Sequence, residues 1–310
     1  MKIFKFGGAS VKNAEAVKNV AGILKMFPNE NIVAVVSAMG KTTNALEKLT
    51  DVFFFNKENP KTVLEEIEKY HLDILAQLFS GNKNPVFSEL EKIFADLEKR
   101  VSGTPNKNYD LEYDQVVSFG EIISTKIVSA YLNEAGMKTN WIDVRDIIKT
   151  DSTYREGKVD WASTEKLVKE KYSSYQGITF TQGFLGGAPD NFTTTLGREG
   201  SDYTAAILAY CTNAESVTIW KDVPGVLNAD PKWFDDTRLI PQLSYQDAIE
   251  LSYYGATVIH PKTLKPLQNK KIPLYVKSFI HPNEKGTLIN DVHLHLSIPC
   301  FIFKVNQVLI

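Results

Sequence analysis

The sequence predicts an α/β protein in which a mostly parallel central sheet is covered by helices on both faces. Short apolar runs typical of strands alternate with amphipathic helical patterns along nearly the whole chain. The run NIVAVVSA, residues 31–38, is almost continuously apolar, as strands buried on both faces of a parallel sheet are. The 310 residues, 43% hydrophobic and 23% charged, also suffice for a sizeable core.

The first 56 residues already alternate strand, helix, strand and helix. KIFKF, residues 2–6, is a short β-type run that two glycines end. Apolar residues then recur at steps of three and four over residues 11–24, which predicts a helix packed on the sheet. After the strand NIVAVVSA, the run TTNALEKLTDVFF predicts a second helix that begins near Thr42 or Thr43.

Residues 57–110 are polar and rich in Lys, Glu and Asn, but they keep helical periodicity. We interpret them as a helical insertion at the edge of the sheet and not as a separate domain. One long amphipathic helix is predicted to follow over residues 111–136, with Gly136 as its C-terminal cap.

The second half of the chain continues the alternation. Strands are predicted in KTNWIDV, GITFTQ, SVTIWKDV and IPLYVKSF. Helices are predicted in TEKLVKEKYSSY, SDYTAAILAYCTNA, SYQDAIELSYYGA and HPKTLKPLQNKK. The final segment, IPCFIFKVNQVLI, is strongly β-like with nothing to pair with, so we expect the natural protein to continue beyond residue 310.

Composition argues against several kinds of partner and site. The net charge of −2 gives no electrostatic basis for binding nucleic acid or an anionic membrane. Cys211 and Cys300 have neither metal-site nor redox spacing, so we assign no metal ligands and expect a reducing, cytoplasmic location. No apolar run approaches the roughly 18 residues that span a bilayer.

Two familiar nucleotide-binding motifs are absent from the sequence. SAMGKTT, residues 37–43, resembles the end of a P-loop, but that loop also needs a glycine five positions before the glycine of GKT. Val35 occupies this position, inside the strand. The dinucleotide fingerprint G-x-G-x-x-G follows no strand either.

Two other motifs place charge where a ligand could bind. In KFGGAS, Lys5 lies at a strand end, and Gly7 and Gly8 would let backbone amides approach an anion closely. A strand, a turn and a solvated lysine explain that motif equally well. In SFGEII, Glu121 lies within an apolar helix face. A buried glutamate needs a cation, either from the protein, which is the commoner case, or from the ammonium of a ligand.

The stretch TTTLGREGSD, residues 193–202, concentrates unusual residues at the carboxyl edge of the sheet, where open α/β sheets bind ligands. Arg198 offers a planar fork for a carboxylate or phosphate, and Ser201 adds donors at a helix N-terminus. Asp202 would need a cation beside a phosphate, and Mg²⁺ fits that arrangement. The alternative is a helix capped by Ser201 and Asp202 after a loose loop. We expect Glu199 to face solvent and assign it no physical role.

WKDVPGV brings Lys221 and Asp222 to the same edge, because they end another predicted strand. His260, in GATVIHPKT, is interpreted as a capping or core-edge residue and not as a catalytic base.

Together, KFGGAS, VVSAMGKTTNAL, SFGEIIS, TQGFLGGAPDNFTTTLGREGSDYTAA, WKDVPGV, ADP and GATVIHPKT resemble the aspartate kinase (aspartokinase) family of the amino-acid kinase fold. The match runs from Lys5 to about Ile289. It implies a catalytic domain over residues 1–290 that includes the helical insertion 57–110. Residues 291–310 would begin a truncated ACT-type regulatory region.

The resemblance implies transfer of the γ-phosphoryl group of ATP to the β-carboxylate of L-aspartate, with Mg²⁺ as cofactor. The product would be 4-phospho-L-aspartate, a precursor of lysine, threonine and methionine. L-Aspartate and ATP would be the partners, and the full-length protein would form a homo-oligomer through the regulatory region. Because the acceptor is already a carboxylate, such a reaction needs charge neutralisation and in-line positioning but no general base.

Residue roles follow from the matching motifs. The catalytic residues implied are Lys5 and Asp202. The substrate-binding residues implied are Ser37, Thr43, Glu121, Arg198 and Ser201. The nucleotide-binding residues implied are Lys5, Gly7, Gly8, Lys221, Asp222, Leu227, Lys232, Thr257 and Val258.

The sequence departs from the family pattern mainly on the nucleotide side. Lys221 stands where Thr is frequent, Leu227 where an aromatic residue can stack on adenine, and Lys232 where Arg is common. Thr257 replaces a lysine that reaches the nucleotide, and we hypothesise that Lys221 supplies the lost charge. Ala9 replaces a commoner Thr.

Two alternative functions remain open at this point. Another kinase of the same fold could act on glutamate, N-acetylglutamate or UMP. A non-catalytic amino-acid-binding subunit would bind the amino acid without turning ATP over.

Overall fold

The computed structural model describes residues 1–173, 175–254, 259–292 and 298–302. Its strands are β1 (Lys2–Phe6), β2 (Ile32–Val36), β3 (Thr139–Ile142), β4 (Ile178–Gln182), β5 (Leu185–Gly187), β6 (Thr193–Thr195), β7 (Ser216–Lys221), β8 (Gln242–Ser244), β9 (Leu274–Ser278) and β10 (Thr287–Asn290). Eight of them form one sheet in the order β3-β4-β2-β1-β7-β9-β10-β8, and β5 pairs with β6 in a separate hairpin. Within the described sheet, every pairing is parallel except β9 with β10.

Helices cover both faces of this sheet. They are α1 (Ala14–Lys25), α2 (Thr42–Phe55), α3 (Pro60–Leu78), α4 (Val86–Val101), α5 (Tyr109–Val117), α6 (Phe119–Glu134), α7 (Val144–Ile147), α8 (Trp161–Tyr172), α9 (Gly200–Thr212), α10 (Tyr245–Tyr254) and α11 (Pro261–Lys270). A short 3-10 helix, Gly8–Val11, follows β1. The predicted fold class is therefore confirmed.

Alternation along the strands divides the core into two layers. On β1, Phe4 and Phe6 join the hydrophobic cluster formed with α1 to α6. Ile3 joins the cluster formed with α7 to α11. Because successive side chains of a strand point to opposite faces, Lys5 lies on the same face as Ile3, towards α9.

The helical insertion was expected at the edge of the sheet, and this placement is wrong. Helices α3 and α4 pack on each other and on α1, α2 and α6. Their buried residues belong to the same cluster as Phe4 and Phe6. Their apolar stripes are long enough to form a second helical layer over one face of the sheet. Sequence periodicity shows that such a stripe exists, but it does not show where the helix packs.

The single helix expected over residues 111–136 is two helices, α5 and α6, that meet at Ser118. The Ser118 hydroxyl donates to the Gln115 carbonyl at 3.1 Å. Serine hydroxyls compete in this way for backbone partners and favour helix boundaries. Gly136 follows α6 with φ 80°, as predicted for a C-terminal cap.

Several short elements went unpredicted. The β5–β6 hairpin, β8 and β10 have three or four residues each, too few to show a period. The strand expected at the end of the chain lies mostly in residues 303–310, outside the described residues. Residues 298–302 form no strand. Among the described helices, none has the length and apolar character that crossing a membrane requires.

The integration of α4 into the core is testable through Leu90, which is fully buried. Leu90→Ala should lower the free energy of unfolding by about 2–5 kcal/mol, the range for removing a large buried aliphatic side chain. Urea denaturation monitored by circular dichroism measures it. The matched control is Lys92→Ala, which removes an exposed side chain of the same helix and should change stability little. Equal, small effects of both variants would contradict the packing described for α4.

Candidate active site

A cavity of about 810 Å³ lies at the carboxyl edge of the sheet, beside β1, β7 and the start of α9. The sequence-predicted residues that line it are Lys5, Ser37, Thr43, Glu121, Arg198, Ser201, Asp202 and Lys221. They come from five separate segments of the chain, so the fold assembles them into one place.

The floor of the cavity holds two lysines and one aspartate. Lys5 Nζ lies 2.7 Å from Asp202 Oδ1. Lys221 Nζ lies 3.9 Å from Asp202 Oδ2. The parallel register pairs Lys5 with Ile219, so Lys221, two residues further on β7, emerges on the same face. Two cations sharing one carboxylate leave net positive charge, which favours an anionic ligand.

Helix α9 begins differently from the expected cap. It starts at Gly200, after Glu199 in a left-handed conformation, and no side chain caps it. The Asp202 carboxylate pairs with Lys5 and does not cap the helix. A Cβ on Gly183 would lie 2.5 Å from the Cβ of Ser201, so only glycine lets the turn after β4 pack on this helix start.

The two glycines after β1 allow the chain to fold tightly around Lys5. A Cβ on Gly8 would lie 2.8 Å from the Ala38 carbonyl oxygen, in the loop after β2. A Cβ on Gly7 would lie 3.3 Å from Lys5 Nζ. The Gly40 amide donates to the Gly8 carbonyl at 3.0 Å. Gly7 and Gly8 therefore border the lysine, but they are not among the residues that line the cavity.

Glu121 lies in the first turn of α6 with only 2% of its surface exposed. Its Oε1 accepts from the Ala38 amide at 3.2 Å. Within the described residues, Oε2 has no hydrogen-bond partner and no side chain forms an ion pair with the carboxylate. Burial raises the pKa of Glu121 to about 8, against the opposing effects of the Ala38 amide and the Lys5 charge. Among the described residues Glu121 therefore has no structural ion pair, and its Oε2 is available to a hydrogen-bond donor.

Ser37 follows β2 directly and Thr43 is the second residue of α2, so they lie at the two ends of the connecting loop. The Ser124 hydroxyl donates to the Ser37 carbonyl at 2.7 Å and fixes one end. At the other end, Thr42 Oγ1 lies 3.3 Å from Nε2 of the buried His71. Burial lowers the pKa of His71 to about 4, so the ring is neutral and can hold the start of α2 without charge.

The segment after β7, as far as the structure describes it, contributes no residue to the lining of the cavity. Asp222 and Lys232 are exposed, Leu227 is half-buried, and none of the three lines the cavity. Thr257 and Val258 lie outside the described residues. The segment is organised by Asn228, which sequence reasoning missed. Its backbone amide donates to the Arg238 carbonyl at 3.0 Å, and its side-chain oxygen accepts from the Arg238 amide at 2.7 Å.

A second wall of the cavity was also missed, and it contains Tyr113 and Arg155. The Arg155 guanidinium lies 4.3 Å from the centre of the Tyr113 ring, a cation–π contact. The buried Asp114 accepts from the Arg155 amide and from the amide and hydroxyl of Thr195. Burial raises the pKa of Asp114 to about 6. The available signal was the seven-residue spacing of Asp114 and Glu121, which would place both on one face of the single helix expected over residues 111–136.

The expectation for His260 is confirmed and that for Glu199 is wrong. The His260 side chain caps α11 by accepting from the Lys262 amide at 3.1 Å. Glu199, expected to face solvent, is half-buried, and its Oε2 accepts from the His260 amide at 3.0 Å. A loop residue that reaches an element more than sixty positions away gives no local sequence signal.

No cluster of three or more His, Cys, Asp or Glu side chains that could hold a metal ion occurs in residues 1–173, 175–254, 259–292 and 298–302. Asp202 is the carboxylate on the cavity floor. This donor set fits a cation that arrives with phosphate oxygens, and it does not fit a metal bound by protein ligands alone.

Comparison with solved structures supports the fold. The structure of Escherichia coli aspartokinase III in complex with aspartate and ADP superposes with a TM-score of 0.86 at 31% identity, covering 95% of this chain and 65% of that one. UMP kinase from Bacillus anthracis, at 16% identity and a TM-score of 0.52, shares the fold.

Curated relatives are longer than this chain. Aspartokinase 1, chloroplastic, of Arabidopsis thaliana is 36% identical over 299 residues, which cover 93% of this chain and 51% of the relative. Lysine-sensitive aspartokinase 3 of Escherichia coli is 32% identical, with 93% and 63% covered. The chain spans 32% of a bifunctional aspartokinase/homoserine dehydrogenase of Zea mays.

The family model described as the amino acid kinase family matches residues 1–278. That stretch contains every cavity residue described above, from Lys5 to Lys221. The chain belongs to the amino acid kinase family.

Proposed function

We propose that this chain is an aspartate kinase catalytic domain, which transfers the γ-phosphoryl group of ATP to the β-carboxylate of L-aspartate. The observation that carries the proposal is that the buried Glu121, whose Oε2 has no partner among the described residues, and Arg198 line one cavity whose floor is Lys5, Asp202 and Lys221. The Escherichia coli aspartokinase III complex with aspartate and ADP supports the same two classes of ligand here.

The two ends of L-aspartate need opposite charges from the protein. Glu121, once ionised, would accept the α-ammonium, and Arg198 would bind the α-carboxylate with its planar fork. The hydroxyl groups of Ser37, Thr43 and Ser201 would complete the polar surroundings. These contacts would leave the β-carboxylate directed at the lysines on the floor.

The transfer step is a displacement at the γ-phosphorus. A β-carboxylate oxygen of aspartate forms the new P–O bond while the bond to the β-phosphate oxygen breaks, and ADP leaves with that electron pair. Lys5, held by Asp202, would neutralise charge on the transferring group, and Lys221 would add a second cation. Mg²⁺, held by the nucleotide phosphates with Asp202 as the available carboxylate, would supply further charge neutralisation.

Both alternative functions are distinguishable. UMP and N-acetylglutamate carry no free α-ammonium that could bind Glu121. Activity on either substrate without activity on aspartate would refute the proposal. Glutamate differs from aspartate by one methylene, so it belongs in the same substrate panel. A non-catalytic subunit would bind aspartate in calorimetry without turning ATP over, and the Lys5–Asp202 pair argues against it.

Several expectations about the whole protein remain part of the proposal. Residues 1–290 would form the catalytic domain, and residues 291–310 would begin an ACT-type regulatory region through which the full-length protein forms a homo-oligomer. The relatives include chloroplastic enzymes, so the comparisons do not assign a compartment. The cytoplasmic location stays a prediction.

A coupled assay for ADP release should show turnover that requires both L-aspartate and Mg²⁺. Lys5→Ala should lower kcat by about 10²–10³, the usual effect of removing one group that stabilises transition-state charge. The control is Lys2→Ala, at the other end of the same strand, where the lysine pairs with Glu30. Circular dichroism establishes that each variant is folded, and a Lys5→Ala enzyme with unchanged kcat would contradict the role of Lys5.

Aspartate binding should depend on pH through Glu121. Because its pKa is about 8, Glu121 is protonated in the free protein below that pH and must lose its proton to accept an ammonium. The KM for aspartate should therefore fall, by up to about tenfold per unit, as the pH rises towards 8. Calorimetry in buffers of different ionisation enthalpy should detect the released proton.

Glu121→Gln is the matched variant for this pH dependence. It should bind aspartate weakly and without the inflection near pH 8, because the amide carries no titrating charge.

Whereas aspartate binding should strengthen as the pH rises, the free energy of unfolding of the ligand-free wild-type protein should fall. The folded state holds a proton on Glu121 that the unfolded chain loses near pH 4.5, so stability falls as the pH rises from there to 8. A wild-type KM for aspartate that is flat from pH 6 to 9 would contradict this assignment.

The charge of Lys221 should serve the nucleotide more than the amino acid. Lys221→Ala should raise the KM for ATP much more than the KM for aspartate, since the ammonium lies on the floor of the cavity beside Asp202. Steady-state kinetics with each substrate varied in turn measures the two constants. Equal changes in both would refute the hypothesis that Lys221 supplies nucleotide-binding charge.

A further inference from the structure

Arg198 lies in a tight turn whose conformation is unusual for its sequence. The Gly200 amide donates to the Gly197 carbonyl at 2.9 Å, which closes a four-residue turn with Arg198 and Glu199 at its centre. Glu199 has φ 53° and ψ 28°, in the left-handed region. Glycine or asparagine is preferred at a turn position of positive φ, because a Cβ is strained there. A glutamate held in this conformation indicates that its side chain makes a compensating interaction.

The compensating interaction reaches a distant element. Glu199 Oε2 accepts from the His260 amide at 3.0 Å, at the residue that caps α11. A second tie joins the same two segments, because Lys262 Nζ donates to the Leu196 carbonyl at 2.9 Å. Helix α11 packs along α9, so the turn is fastened to a rigid pair of helices.

We propose that Glu199 is a positioning residue for aspartate binding, whose carboxylate holds the Gly197–Gly200 turn on α11 so that Arg198 is pre-organised to meet the substrate α-carboxylate. This inference rests on the proposed function. Arg198 itself is exposed and follows Gly197, which has φ 75° and much conformational freedom. Without the Glu199 tie, binding would have to order the turn as well as the ligand, and that ordering weakens affinity.

The backbone role of Glu199 is separate from its side-chain role. Its carbonyl accepts from the Asp202 amide at 3.0 Å and from the Tyr203 amide at 3.1 Å, in the first turn of α9. Ala, Gly and Gln at this position keep the carbonyl that accepts those bonds. Substitution of the side chain should therefore spare the Lys5–Asp202 pair and the chemical step, and the effect should fall on the binding of aspartate.

Three variants separate the contributions. Glu199→Ala removes the hydrogen bond and keeps a Cβ in a left-handed conformation. Glu199→Gly removes the hydrogen bond and relieves that strain. Glu199→Gln keeps an oxygen acceptor of similar shape. Glu91→Ala, on the exposed face of α4, is the control for loss of one negative charge.

The ADP-release assay on the purified chain should show the KM for aspartate raised about tenfold in both Glu199→Ala and Glu199→Gly, as expected for loss of a charge-assisted hydrogen bond. The kcat and the KM for ATP should each change less than about twofold. Glu199→Gln should restore most of the aspartate affinity.

Other outcomes would overturn the inference in distinguishable ways. If wild type shows no aspartate-dependent turnover, the proposed function fails and this inference fails with it. If wild type is active and Glu199→Gly matches it in the KM for aspartate, the inference alone fails. Parallel losses of kcat, both KM values and melting temperature in Glu199→Gly would show a purely structural residue and would also refute it.

Discussion

The ion pair of Lys5 and Asp202 fixes the relation between the central strand and the helix that forms the site. Lys5 belongs to β1, the strand flanked by β2 and β7, and Asp202 belongs to the first turn of α9. Both side chains are nearly buried, with 11% and 3% of their surface exposed. Removing Asp202 would leave the nearly buried Lys5 ammonium without its paired carboxylate, which costs several kcal/mol. The packing of α9 on the sheet and the charge of the cavity floor therefore depend on the same contact.

Three carboxylates buried in α5 and α6 show how structure separates stability from function. Glu112 pairs with Arg100 and also accepts from the Asn106 amide. Asp114 accepts three hydrogen bonds from the chain that forms the cavity wall. Glu121 accepts one, and its second oxygen has no partner among the described residues. Equal burial with fewer hydrogen bonds distinguishes Glu121 from the other two, and this is the carboxylate that the proposed function assigns to the ligand ammonium.

Much of this arrangement could be predicted from the sequence, because it depends on local patterns. The long strands and helices carry clear periods, and Lys5 and Lys221 lie near the ends of strands that the parallel sheet brings to one edge. Arg198 and Asp202 follow β6 of the separate hairpin, so their place at this edge depends on tertiary packing. The layer formed by α3 and α4 could not be predicted, because periodicity shows that a helix has an apolar face and not what covers it. The break at Ser118 and the short strands depend on single hydrogen bonds and tertiary pairing, which leave no repeated signal.

The site residues that sequence reasoning missed share one physical origin. Arg155, Asn228 and Glu199 form hydrogen bonds to segments that are distant in sequence, Asn228 through its bond to the Pro299 carbonyl, and each holds a loop in place. Lys5 and Glu121 need no such help, since a strand and a helix already fix their backbones. Arg198 lies between two residues of positive φ on a turn, where local propensity does not select one conformation. A long-range tie is then the available means of fixing the arginine, which explains why a glutamate occupies a position where glycine would be less strained.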